Sequence, residues 1–203
     1  AYKIHEAEYL LRQSDTHTLV MIESALDSNY RKIINEICPE LAKTKAGSPL
    51  HCKKLPFLRN VITVDFRQPG SLTFDEAMAR ADLTPVEEVY RMAAGIQPDD
   101  VCNMQYTSGT TGFPKGVMLT HYNVVNNGKC IGDRLGLSTA DRMMVQVPMF
   151  HCFGMVLTMT SSMTHGATLC PLPYFSAKSS LACINQERIT AMNGVPTMFI
   201  AMF

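Results

Sequence analysis

Residues 106–116 read Tyr-Thr-Ser-Gly-Thr-Thr-Gly-Phe-Pro-Lys-Gly, a stretch dense in hydroxyls and glycines that closes on one lysine. The combination suits a polyphosphate. Gly109, Gly112 and Gly116 can take backbone angles closed to other residues, so the main chain can bend tightly and turn N–H groups toward an anion. Thr107, Ser108, Thr110 and Thr111 add hydroxyls able to bond phosphate oxygens or a phosphate-bound cation, and Lys115 adds a mobile positive charge. A Walker A loop has its lysine followed at once by a hydroxyl residue and a helix. Here Pro114 precedes the lysine, Gly116 follows it, and Val117, Met118, Leu119 and Thr120 make too short and apolar a run for that helix. Because residues 101–106 read as a strand, the loop is expected to bridge two strands as a flexible flap.

Helices alternate with strands around it. Residues 6–13 read as a helix, 17–22 as a buried strand, 28–37 as a helix stopped by Pro39, and 61–65 as a strand. Thr73 with Glu76 and Thr84 with Glu87 both have capping-box spacing, the second with Pro85 at the first helical position, and Gly95 closes the second helix. Downstream, Thr120 should cap a helix running to about Leu135 and ended by Gly136. Strands at 142–148, 167–172 and 189–195 then alternate with helices at 153–163 and 177–187. The alternation predicts an α/β fold, a layered αβα sandwich around a mostly parallel sheet. The stretch 44–56, with its lysines and Gly47, Pro49 and Pro56, reads as a surface excursion within one domain covering 1–203.

Composition bounds the class. The 203 residues are 46% hydrophobic with 18 basic and 18 acidic side chains, enough for one sizeable core and without a basic patch for nucleic acid. The most apolar segments, 153–159 and 195–203, fall short of the roughly 18 apolar residues of a membrane span, and the N-terminus lacks a signal pattern. A cytoplasmic location is expected. The seven cysteines form no C-x-x-C pair and read as free, mostly buried thiols of a reducing compartment. His151 and Cys152, as neighbours on an extended segment, point to opposite faces and are poorly placed to share a proton.

The glycine-rich loop resembles the phosphate-binding signature of the adenylate-forming superfamily, which comprises acyl- and aryl-CoA synthetases, luciferases and the adenylation domains of peptide synthetases. Residues 147–154, Val-Pro-Met-Phe-His-Cys-Phe-Gly, are similar to its second core signature, and residues 193–197, Asn-Gly-Val-Pro-Thr, to the corner bordering its acyl pocket. The resemblance implies ATP-dependent activation of a carboxylic acid through an acyl-adenylate, followed by transfer to coenzyme A. It places Thr107, Ser108, Gly109, Thr110, Thr111, Gly112, Lys115 and Gly116 on the phosphates, with Thr107 also toward Mg²⁺. His151 is implied as catalytic. Phe150, His151, Phe153, Gly154, Gly194, Val195, Pro196 and Thr197 are implied as acid-binding.

A plain strand-ending, helix-capping role for His151, and core packing for the aromatics, stand beside those roles. A fatty or other simple acid is favoured over an amino acid, since the stretch around residues 150–156 offers no aspartate for an α-amine. Two further readings stay open: an amino-acid adenylation domain, and a non-catalytic nucleotide- or protein-binding module. The apolar run at 198–203 is expected to continue into the remainder of a longer parent polypeptide. The isolated piece should then be inactive and self-associate through that end.

Overall fold

The computed structural model describes residues 3–25, 27–107 and 114–203. The chain forms two compact units, Ala1–Gly95 and Ile96–Phe203.

In the first unit, α1 (Ile4–Gln13) leads into β1 (Thr18–Ile22), then a short antiparallel pair, β2 (Ser24–Ala25) and β3 (Ser28–Asn29), and α2 (Tyr30–Ile37). The expected helix at 28–37 begins two residues late. Ser28 and Asn29 pair with β2, and the Asn29 side chain accepts from the Lys32 N–H at 2.8 Å, satisfying an orphan donor of α2. After a 3₁₀ turn, Pro39–Lys43, come β4 (Asn60–Val64), β5 (Leu72–Thr73), α3 (Phe74–Met78) and α4 (Val86–Ala94). The strands form a parallel sheet in the order β1-β4-β5.

Three expectations need correction here. Strand β1 is not buried throughout. Met21 enters the core, whereas Val20 and Ile22 on the opposite face are 52% and 45% exposed, because only one face of the strand is covered. The stretch 44–56 is no surface excursion either. Leu50, Cys52 and Leu55 are buried within it, and each leucine contributes roughly 1.5–3 kcal/mol by its burial. Of the two expected capping boxes only that of Thr73 and Glu76 forms, with Thr73 Oγ1 accepting from Glu76 N at 3.2 Å and Glu76 Oε2 from Thr73 N at 2.9 Å. Pro85 has an extended ψ of 140°, so α4 starts after it and Thr84 is too far out to cap.

In the second unit, β6 (Val101–Thr107) and β7 (Lys115–Thr120) form an antiparallel hairpin. Helix α5 (His121–Leu135) follows at once, capped by Thr120 Oγ1 accepting from Asn123 N at 3.2 Å. Gly136 ends it with φ 67°, the left-handed geometry glycine adopts without strain. Then come β8 (Arg142–Val145), a π-helix (Phe153–Thr160) continued by α6 (Ser161–Thr164), β9 (Thr168–Pro171), α7 (Ala177–Glu187), β10 (Ala191–Met192) and α8 (Pro196–Met202). The strands are parallel in the order β10-β8-β9, with β8 central. The β8-to-β9 and β9-to-β10 crossovers run in opposite directions across this sheet. Right-handed connections therefore place the π-helix and α6 on one face and α7 on the other.

Helix α5 lies against the π-helix and α6 through glycine. A Cβ at Gly128 would sit 2.6 Å from Thr160 Cγ2, and one at Gly132 would sit 2.2 Å from His165 Nδ1. On the α7 side, Met144, Cys170 and Cys183 form a small core. The ordered ladder of β8 covers only the front of the run expected at 142–148, yet Gln146 and Val147 beyond it are also buried.

Candidate functional site

The hairpin register places Thr107 directly opposite Lys115, and Tyr106 opposite Gly116. Opposed residues of an antiparallel pair project to the same face. A threonine hydroxyl and a lysine ammonium, both exposed, therefore stand together where the strands open into the intervening loop. Ser108, Gly109, Thr110, Thr111 and Gly112 lie outside the described residues. Gly116 has a packing reason to lack a side chain, since a Cβ there would come 3.0 Å from Met104 Sδ and 3.3 Å from the Tyr106 ring. Among the described residues, no acidic group pairs with Lys115.

The second group of residues gathers beyond the carboxyl ends of two neighbouring parallel strands. Chain leaving β8 makes a turn at 148–151, in which His151 N donates to Pro148 O at 3.2 Å, and enters the π-helix at Phe153. Gly154 folds back against this turn. A Cβ on it would lie 2.3 Å from Pro148 O, so the close approach requires glycine. Chain leaving β10 makes the 193–197 corner, with Val195 extended and Pro196 opening α8. The carboxyl ends of strands in an open parallel sheet are where ligands of such folds bind. The hairpin reaches the same region through Gln105, two residues before Thr107, whose Nε2 donates to Met155 Sδ at 3.9 Å.

His151 does cap the helix start, as one reading expected. Its Nδ1 accepts from Phe153 N at 3.1 Å. An Nδ1 engaged as an acceptor leaves the proton of the neutral ring on Nε2, which can donate to an anionic oxygen. Phe150 beside it is 80% exposed and packs no core, whereas Gly154 is buried. Val195, Pro196 and Thr197 are exposed and Gly194 is half-buried.

Two cavities lie elsewhere. One, of about 470 Å³, is an apolar groove between α1, α2 and β1, and the other, of about 560 Å³, lies between β9 and α7. Neither is lined by a residue of the phosphate loop, the His151 turn or the 193–197 corner.

All seven cysteines are free. Cys38, Glu40 and Cys52 bring ligand atoms within 4.8 Å of one another. Burial pushes the Cys38 thiol far above its ordinary range, and the adjacent Cys52 adds to the rise. The Glu40 carboxyl is held low, first by its own backbone N–H and then by that of Lys53.

Sequence reasoning missed Gln146, Thr158 and Ser180, which are 3%, 0% and 0% exposed and hydrogen-bonded around this region. The signal for Gln146 was present as an amide inside the apolar run 143–147.

A parallel αβα unit with a glycine-rich hairpin beside its carboxyl-end loops defines a nucleotide-handling α/β class. The chain belongs to the AMP-binding enzyme family, whose pattern matches residues 1–203. It is 41% identical over 201 residues to YngI of Bacillus subtilis (strain 168), an acyl-CoA synthetase by name, covering 98% of this chain and 36% of the relative. It is 39% identical over 206 residues to the mitochondrial medium-chain acyl-CoA ligase ACSF2 of Rattus norvegicus, covering 98% of this chain and 33% of the relative. Among solved structures, the anthranilate CoA ligase AuaEII in complex with anthranoyl-AMP superposes with TM-score 0.77 at 25% identity, covering 98% of this chain and 35% of that one. ATP-bound MatB from Rhodopseudomonas palustris shares the fold, with TM-score 0.69 at 22% identity, covering 100% and 34%. The chain thus spans about a third of the length of these curated relatives. No described helix is long and apolar enough to cross a membrane.

Proposed function

We propose that residues 1–203 are part of the N-terminal domain of an AMP-forming acid–thiol ligase that activates a fatty acid with ATP and passes the acyl group to coenzyme A. The observation that carries this reading is the hairpin. It sets Thr107 against Lys115 at the mouth of a loop whose remaining residues are mostly hydroxyls and glycines. That donor set fits a polyphosphate, and phosphoryl-type chemistry asks mainly for positioning and charge stabilisation. In this reading Thr107, Ser108, Gly109, Thr110, Thr111, Gly112, Lys115 and Gly116 hold the phosphates that leave as pyrophosphate. In the same reading Thr107 would help hold the Mg²⁺ that accompanies ATP, and that ion would supply charge neutralisation.

His151 donates from Nε2 to an oxygen of the carboxylate or α-phosphate. Phe150, Phe153, Gly154 and the corner Gly194, Val195, Pro196 and Thr197 line the acid. The name of ACSF2, a medium-chain acyl-CoA ligase, favours a fatty acyl substrate. The cytoplasmic proposal is supported by the free thiols.

The test is steady-state acyl-CoA formation by the intact protein with ATP, coenzyme A and a panel of fatty acids. Lys115→Ala should lower kcat/KM for ATP by about 10- to 150-fold, the equivalent of one charged hydrogen bond, with the KM for the acid nearly unchanged. An unaltered ATP dependence would show that the loop is not the phosphate cradle.

A further inference from the structure

Gln146 is a neutral amide buried in the apolar run 143–147, and burying it costs free energy unless both ends of the amide are bonded. Both are. Ser180 Oγ on α7 donates to Gln146 Oε1 at 2.9 Å, and Gln146 Nε2 donates to Asn193 O at 3.0 Å. Asn193 extends the series, its Nδ2 donating to Thr158 Oγ1 at 2.9 Å and to Leu157 O at 3.4 Å. Thr158 Oγ1 in turn donates to Phe153 O at 3.0 Å. The protons therefore point one way, from Ser180 through Gln146, Asn193 and Thr158 to Phe153. A flipped Gln146 amide would set oxygen against the Asn193 carbonyl.

This series joins segments that sequence separates. Gln146 lies two residues before Pro148, Asn193 immediately precedes Gly194, and Phe153 opens the π-helix just after His151. A Cβ on Gly194 would come 3.2 Å from Gln146 Nε2, so the amide sits directly beneath the corner.

We infer that Gln146 is a positioning residue that fixes the spacing between the 148–154 turn and the 194–197 corner, and through them sets how tightly the carboxylic acid is held. The inference rests on the proposed function. Gln146 touches neither acid nor nucleotide. It acts through the backbone at Asn193 and, by way of Thr158, at Phe153, while the phosphate hairpin belongs to a separate two-stranded sheet. Disturbing Gln146 should therefore change acid recognition far more than ATP recognition.

Gln146→Glu in the intact enzyme is the discriminating substitution, because it keeps the shape and exchanges the amide donor for an oxygen that titrates. Ionised, the new side chain turns an oxygen toward Asn193 O. Protonated, it can donate again, and burial raises a carboxyl pKa toward neutrality. The expected result is an acid KM raised about tenfold or more at pH 8, an ATP KM within about twofold of wild type, and recovery of the acid KM toward pH 6. Gln146→Leu should raise the acid KM at both pH values, since no proton restores its donor.

Ser180→Ala removes one bond at the far end and should raise the acid KM roughly fivefold, which keeps the test open if Gln146→Glu does not fold. Equal changes in the two KM values, no pH recovery, or an unchanged acid KM in Ser180→Ala would overturn the inference. A wild type that forms no acyl-CoA overturns the underlying reading, and the inference with it, whereas an active wild type with unsplit variants overturns the inference alone.

Discussion

His151 serves the fold with one ring nitrogen, and the proposed chemistry uses the other. Its Nδ1 accepts the Phe153 N–H, which fixes the tautomer and orients the ring, so Nε2–H is the group available to an anion. Gly154 next to it shows how little room the turn has. In Gly154→Ala the new methyl would meet the Pro148 carbonyl oxygen at 2.3 Å and its carbon at 2.6 Å, both backbone atoms that cannot rotate away. The expected cost is about 1–3 kcal/mol, typical of overpacking, read as a lower urea midpoint of the intact protein at unchanged slope. A midpoint equal to wild type would mean the turn is looser than its geometry indicates. The glycine and the histidine were both visible in the sequence. What the sequence could not reveal was which ring nitrogen the backbone would occupy, because that depends on the loop's path in space.

Among the elements, α5 was legible end to end, since Thr120 caps it and Gly136 stops it through short-range chemistry alone. The π-helix was not. Thr158 Oγ1 donates to Phe153 O and Thr160 Oγ1 to Met155 O at 2.8 Å, each to the carbonyl five residues back. That spacing matches the wider π turn, and an apolar run gives no sign of it. Pro85 misled for a related reason: its fixed φ suits a helix start, but ψ decides whether the helix has begun. Asp141, between α5 and β8, holds two elements by charge. It accepts from Thr190 Oγ1 at 2.8 Å just before β10, and from Ser138 N at 2.8 Å and Ser138 Oγ at 2.9 Å.

These bonds, Thr190 first and then Ser138, hold the Asp141 carboxyl below its ordinary value. A group depressed by folding adds stability above its unfolded pKa of about 3.9 and loses it as pH falls through the folded value. Wild type should thus exceed Asp141→Asn in urea midpoint at pH 6, with the gap closing as pH falls below the unfolded value of about 3.9. A gap independent of pH would exclude the charge as the cause.

At the scale of the molecule, the alternation of helices and strands gave the parallel α/β architecture directly. The apolar plugs Leu50, Cys52 and Leu55 stayed hidden because single apolar residues among lysines and prolines carry no period. The hairpin of β6 and β7 was legible for the opposite reason, since its two strands are neighbours in sequence. The Gln146 series joins residues 146, 153, 158, 180 and 193, and no local pattern connects them.

Acyl-adenylate formation is the central claim, and its reversibility makes it directly measurable as exchange of radiolabelled pyrophosphate into ATP without coenzyme A. The intact protein should show exchange that depends on added fatty acid and falls about 10- to 150-fold in Lys115→Ala, whereas residues 1–203 alone should show none. Absence of acid-dependent exchange in the intact protein, with ATP instead cleaved to ADP and phosphate, would contradict the account.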